Sequence, residues 1–328
     1  MANAQYSNAR AKVLETTLLG DERMIRMAES KTPDDAIKIL SEVNFSKGVY
    51  VENSLEYDKL ITGEEKNLFT FIRETSPSKE FSDFVLFKND YHNAEVIVKF
   101  KYLPERINLS DALLPDGEYS AETMKEKILL DEYGSFPETL KNALKKADEE
   151  FVSCRATGRI INELFKNALY EELYKLSRKN SDLKRIYGAK ADFTNVSVAL
   201  RLRDYRLACE IFLKGGTLND AQLKALCEQP LESLVLSEPK SDANDYFAFA
   251  IESAVKGEAL TEFEKKADEF PLDYLDSFKY SVEGIRPFMR YVYEKLNEIE
   301  NVRIIMSGLF NGDSGEKIKK RLRNCNER

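Results

Sequence analysis

Histidine is almost absent from this chain: His92 is the only one, and the four cysteines, Cys154, Cys209, Cys227 and Cys325, form no CxxC pair. A zinc site and a disulfide framework are therefore not expected, and the thiols are expected to be reduced. Any Ser/His or Cys/His mechanism would have to use His92. Tryptophan is missing, and glycine and proline are scarce, 14 and 9 in 328 residues. So few turn residues disfavour an all-β fold and favour long helices. No apolar run approaches the roughly 20 residues that cross a bilayer; "YFAFAI" (Tyr246–Ile251) is among the longest and is flanked by acids. The opening "MANAQYSNARAK" lacks an apolar signal core, so the protein is expected to stay where it is made. The net charge of −8 argues against a nucleic-acid partner, which needs a basic field to release counterions.

What is present is enough for several cores: 43% hydrophobic residues, with 32% charged residues of both signs for solvated faces. Helix starts are readable. "SKTPDDAIKIL" offers Thr32 as N-cap, Pro33 at the first helical position and Asp34 and Asp35 in the first turn. "TLND" (Thr217–Asp220) and "TEFE" (Thr261–Glu264) have the form of capping boxes. In "FKNALYEELYKLSR", Phe165, Leu169, Leu173 and Leu176 share one helical face. The 16 Tyr and 19 Phe belong mostly to bundle cores, "FSDFVLF" and "FMRYVY" having helical spacing, with some tyrosines expected at a protein interface.

The chain also repeats itself. "YSNARAKV", "DYHNAEVIV", "DFTNVSVAL" and "IENVRIIM" each place an asparagine before an apolar-rich segment, and Asn8, Asn93, Asn195 and Asn301 lie 85, 102 and 106 residues apart. A second register pairs "LKKADEEF" (Leu144–Phe151) with "EKKADEF" (Glu264–Phe270) and Leu176 with Leu296, both at an offset of 120. Each Asn-led segment is followed by a glycine and a new helix: Gly20, Gly117, Gly216 and Gly312. The expectation is an all-α protein of three similar helical-bundle domains, residues 1–108, 109–212 and 213–328, with the chain passing between bundles along Asn-led helices that the glycines terminate.

"ENVRIIMSGLFNG" (Glu300–Gly312) invites reading as a strand and phosphate loop, but Gly315 is followed by Glu316, Lys317 comes one place late and Ile318 is no magnesium ligand. No cofactor, metal or catalytic residue is expected. His92 has Thr194 and Glu300 as its equivalents, so a surface or capping role is expected. "KKADEE" reads as a solvated helix face. The basic C-terminal helix "EKIKKRLRNCNER" (Glu316–Arg328) either complements its own dipole or offers a docking face for an acidic partner or a lipid headgroup surface.

"NDYHNAEVIVKFKY", "DFTNVSVALRLR" and "NVRIIMSGLFNGDSGEKIKKRLR" resemble the three signature segments of the C subunit of the V/A-type ATPases, a relative of the eukaryotic V-ATPase d subunit, and "YSNARAKVLETTLL" resembles the family's start. The resemblance implies a funnel of three helical domains about a pseudo-threefold axis. It implies a non-catalytic adaptor on the cytoplasmic side of the membrane, with the central stalk in its cavity and the membrane rotor ring on the opposite face. It implies neither a nucleic-acid partner nor a small-molecule substrate. The family often has a lysine after the glycine of the last segment, where this chain has Leu309 and Phe310 after Gly308. Asn8, Asn93, Asn195 and Asn301 are structural positions in this reading and not ligands. A helical scaffold outside the ATPase and a helical enzyme are the other classes; the latter would need a pocket with convergent polar groups.

Overall fold

The computed structural model describes residues 3–104, 107–234, 244–281 and 284–324, and among them there are helices and no strand. The chain forms two compact units, residues 1–176 with 278–328, and residues 177–277. In the first, α1 (Ala4–Glu15), α2 (Gly20–Ala28), α3 (Pro33–Glu42), α4 (Tyr57–Thr75), α5 (Lys79–Tyr102), α6 (Leu109–Ala112), α7 (Ala121–Leu129) and α8 (Glu138–Val152) are followed by α9 (Gly158–Ser177), which runs to the boundary. The second contains α10 (Ser181–Leu202), α11 (Tyr205–Ala208), α12 (Asp220–Glu228), α13 (Leu231–Leu234), α14 (Asn244–Val255) and α15 (Thr261–Asp276). The chain then returns to the first unit with α16 (Arg286–Phe310) and α17 (Gly315–Arg321). The all-α class holds.

The repeat is a repeat of packing around three long helices. Each of α5, α10 and α16 contacts the short helix that follows it (α6, α11, α17), a nine-residue helix (α7, α12, α2) and a longer one (α8, α15, α4). Because neighbours surround it, each of these helices buries polar positions as well as apolar ones; Asp90 and Asn93 lie among Phe87, Tyr91, Ala94 and Ile97 of α5. The "KKAD" register is structural, since α8 and α15 occupy the same place beside α5 and α10. The Leu176–Leu296 pairing is not: Leu176 lies near the end of α9 and Leu296 in the middle of α16.

The asparagines stand inside helices and do not begin them: Asn93, Asn195 and Asn301 occupy the fifteenth, fifteenth and sixteenth places of α5, α10 and α16. These segments are bundle centres, with partners before and after them in sequence, so divisions at 108 and 212 do not coincide with the compact units, and residue 212 lies inside the second. Two bundles share the first unit because aromatic rings join them. Phe288 of α16 stacks on Phe71 of α4 at 5.4 Å and meets Phe81 of α5 edge-on at 6.0 Å. In the second unit Phe193 of α10 lies 4.9 Å from Phe263 and 5.9 Å from Phe247. Phe165, Leu173 and Leu176 are buried as their spacing predicts, with Leu169 packed against the same core.

Thr32 caps α3, accepting the Asp35 N–H at 3.2 Å. The other two expected caps shift. Asn219, not Thr217, makes the capping box of α12, with Gln222, and Thr261 is the first residue of α15 without a side-chain cap. Thr217 bonds instead to a carboxylate described below.

Candidate functional site

The three central asparagines are 0, 2 and 1% exposed, and each makes the same pair of bonds. Asn93 accepts the Leu114 N–H at 2.8 Å and donates to the Leu114 carbonyl at 3.1 Å. Asn195 does so with Leu213 at 2.7 and 2.9 Å, and Asn301 with Arg323 at 2.8 and 2.9 Å. The partner lies just beyond the short helix that follows the central one. A side-chain amide offers one acceptor and a donor on a single planar group, so it satisfies both backbone groups of one buried residue. A carboxylate would lack the donor, and an apolar residue would leave both groups unpaired.

One helical turn earlier stands an acid. Asp90 accepts the Glu118 N–H at 2.8 Å and the Tyr119 N–H at 3.3 Å. Asp192 accepts the Thr217 N–H at 2.8 Å, the Leu218 N–H at 3.1 Å and the Thr217 hydroxyl at 2.6 Å. Glu298 accepts the Leu19 N–H at 2.5 Å. In each case the amide lies at the entry to the nine-residue helix. Gly117 and Gly216 are not helix ends but points of close approach: a Cβ would come 2.4 Å from Asp90 Oδ1 and 2.2 Å from Asp192 Oδ1. Burial pushes the Asp90 carboxyl up to about 7, against the pull of its two N–H donors.

In the α16 bundle the acid belongs to a buried charge network. Lys295 pairs with Glu298 and with Glu64 of α4, and Glu64 also accepts the Ser46 N–H at 2.7 Å. Burial disfavours both charges of the Lys295–Glu298 pair and raises Glu298; for Lys295 the two carboxylates outweigh it and the ammonium is held more tightly. The network ties α4, α16, the turn before α2 and the loop after α3 to one point.

Other sequence candidates resolve into structure. Asn8 of α1 is not a fourth central asparagine; its Nδ2 donates to the Gly284 carbonyl at 3.0 Å. His92 Nε2 lies 3.2 Å from the Ala112 carbonyl, bracing α6. Lys145, Lys146 and Glu149 are exposed as expected of "KKADEE", but Asp148 turns inward and accepts the Tyr102 and Tyr133 hydroxyls at 2.7 and 2.6 Å. Glu300–Gly312 has neither strand nor phosphate loop: α16 runs to Phe310 and closes through Gly312 (φ +69), whose N–H reaches the Leu309 carbonyl at 3.1 Å while Asp313 reaches that of Gly308 at 2.9 Å. Gly20 is also left-handed (φ +72), where the chain enters α2. At the lysine position stands Leu309, and beside it the Phe310 ring stacks on Tyr57 at 5.5 Å. On α17, Lys317 pairs with Asp313, Lys319 with Glu29 and Glu316, and Arg321 with Asp313. Residues 325–328, with Cys325, lie outside the described residues. Among the described residues Cys154, Cys209 and Cys227 are free, no group of His, Cys, Asp and Glu has the arrangement of a metal site, and no helix is long and apolar enough to cross a membrane. A hollow of about 350 Å³ against α12 is lined by neutral side chains, among them Asn219, Gln222, Leu226 and Ile251.

The class defined here is an all-helical bundle protein whose buried polar groups bind its own backbone. A family model described as "ATP synthase (C/AC39) subunit" matches residues 7–321, and the chain belongs to that family. It is 22% identical to the C subunit of the A-type ATP synthase of Haloquadratum walsbyi, the match covering 97% of each chain. It is likewise 22% identical to the C subunit of the A-type ATP synthase of Pyrococcus abyssi, over 96% of this chain and 88% of the relative. With the C subunit of the V-type sodium ATPase of Enterococcus hirae it shares 21% identity over 94% of each.

Proposed function

We propose that this chain is the non-catalytic central-stalk adaptor of a rotary V/A-type ATPase, joining the rotor shaft to the membrane ring and so coupling ATP hydrolysis or synthesis to proton or sodium transport. The observation that carries this reading is the match along almost the whole chain to relatives named as C subunits of A-type and V-type ATPases. The repeated bundle supports it: three central helices with one set of neighbours and one asparagine bond pattern suit a funnel of three similar domains about a pseudo-threefold axis. The shaft then enters the central cavity and the ring lies against the opposite face, on the cytoplasmic side of the membrane. The asparagine and acid bonds lock each bundle internally, and that stiffness serves the adaptor. An acidic chain calls for polar interface rims and salt-sensitive binding.

The test is reconstitution. The chain is expected to bind the cognate shaft and ring subunits, more weakly at high ionic strength, and its deletion to leave ATP hydrolysis by the remaining complex uncoupled from ion transport. Binding to neither, together with coupled transport in the deletion strain, would mean a helical scaffold outside the ATPase.

A further inference from the structure

Tyr50 is 94% exposed and Leu55 75%, on one loop between α3 and α4. That loop is shaped from beneath. Asn44 (φ +56) closes α3, its N–H on the Ser41 carbonyl and that of Phe45 on the Leu40 carbonyl, both at 3.1 Å. Ser46 is then held at φ +56, which no helix end requires and which a non-glycine residue adopts only when its surroundings enforce it. Gly48 (φ +88) completes the turn, closed by the Val49 N–H on the Ser46 carbonyl at 2.9 Å. The enforcing groups are the buried ones: Glu64 takes the Ser46 N–H, and Lys295 Nζ lies 5.2 Å from the centre of the Phe45 ring. Gly63 lets the loop seat closely, since a Cβ there would come 2.2 Å from Ser46 Oγ and 2.7 Å from Val49 Cγ2.

We infer that the Tyr50–Leu55 loop is a preset docking knob for a protein partner that offers an apolar pocket with a basic rim. A tyrosine has a large apolar body, a polar tip and few rotatable bonds, and it is enriched among the residues that dominate binding energy. The base of the loop, Phe45–Val49, is already held by Glu64 and Lys295, and the Ser54 N–H is bonded to Asp34 at 3.2 Å, so less ordering entropy is left to lose on binding. The rim's sign follows from charge: Glu56 pairs with Lys59, which leaves Glu52 and Asp58 against Lys47 on the loop and the start of α4, on a chain of net charge −8. The inference rests on the proposed function in taking the partner to be another component of the same ATPase.

The test places a photo-cross-linking phenylalanine analogue at position 50 and adds the chain to the cognate ATPase stripped of its native copy. A cross-link to another component of the complex is expected, together with a roughly ten- to hundredfold loss of affinity in the Tyr50→Ala/Leu55→Ala variant and near-native affinity in Tyr50→Phe. Both residues are exposed, so the double variant should keep its helical circular dichroism and melting temperature. Native affinity of that variant, or cross-links confined to this chain or a second copy of it, overturns the inference while the adaptor reading stands. Failure of the wild-type chain to join the complex overturns both.

Discussion

At the residue scale, the polar groups most deeply buried in the central helices hold backbone, and their replacement is expected to affect stability directly. Asn195→Leu keeps the number and branching of side-chain heavy atoms and abandons the Leu213 N–H and carbonyl; two unpaired buried groups predict a loss of about 2–4 kcal/mol, read as a lower urea midpoint for the second unit. Asp90 predicts a pH dependence. Its folded carboxyl is raised to about 7 by burial, so the folded chain keeps a proton that the unfolded chain has released. The stability from this group is full below about pH 4 and fades as pH rises towards 7. Urea midpoints measured across that window should fall less steeply for Asp90→Asn than for the wild type. The acids were legible: "NDYHN", "ADFTN" and "EIEN" each carry one three residues before the asparagine. Asn8 has Gln5 there, a sign that it is no fourth copy. Spacing showed which residues recur, but not that Leu114, Leu213 and Arg323 would return to meet them, because those contacts span 18 to 22 residues.

At the element scale, the glycines have two different duties. Gly312 and Gly257 close helices in the left-handed conformation, as helix-end reasoning predicts. Gly117 and Gly216 make room for a carboxylate of another helix, a duty that only the tertiary neighbour creates. Gly216→Ala should therefore cost about 1–3 kcal/mol, since the Cβ meets the carboxylate of the fully buried Asp192. Gly134→Ala, with open space around it and no left-handed φ, should stay within about 0.5 kcal/mol of the wild type. Equal melting temperatures for the two variants would contradict this division. The shifted caps follow the same logic: Thr217 has the right local sequence for a cap, but Asp192 takes both its N–H and its hydroxyl, and the role passes to Asn219.

At the scale of the whole molecule, the α16 bundle is closed by both ends of the chain. Its nine-residue helix and long neighbour, α2 and α4, come from the first 75 residues, and its short helix from the last. Removing residues 311–328 takes away α17, the buried Ile318 that packs against Gly308, and the backbone partner of Asn301. Hydrogen exchange in that truncated chain should accelerate in α16, α2 and α4, while the amides of α10, α12 and α15 keep their protection. Uniform acceleration across both units would show that the two do not unfold separately.

The sequence by itself determined the all-α class, the periodic apolar faces, several caps, the recurring asparagines and the family, because these depend on local propensity, on spacing and on matches that run along the chain. Only the tertiary structure decided that the asparagines sit at bundle centres, that the first and last segments share one bundle, and that the Lys295, Glu64 and Glu298 charges gather beneath the Tyr50 loop. The physical reason is that a buried polar group is paired across space, and the partner that satisfies it can lie a few residues away or, as with Glu298 and Leu19, at the other end of the chain.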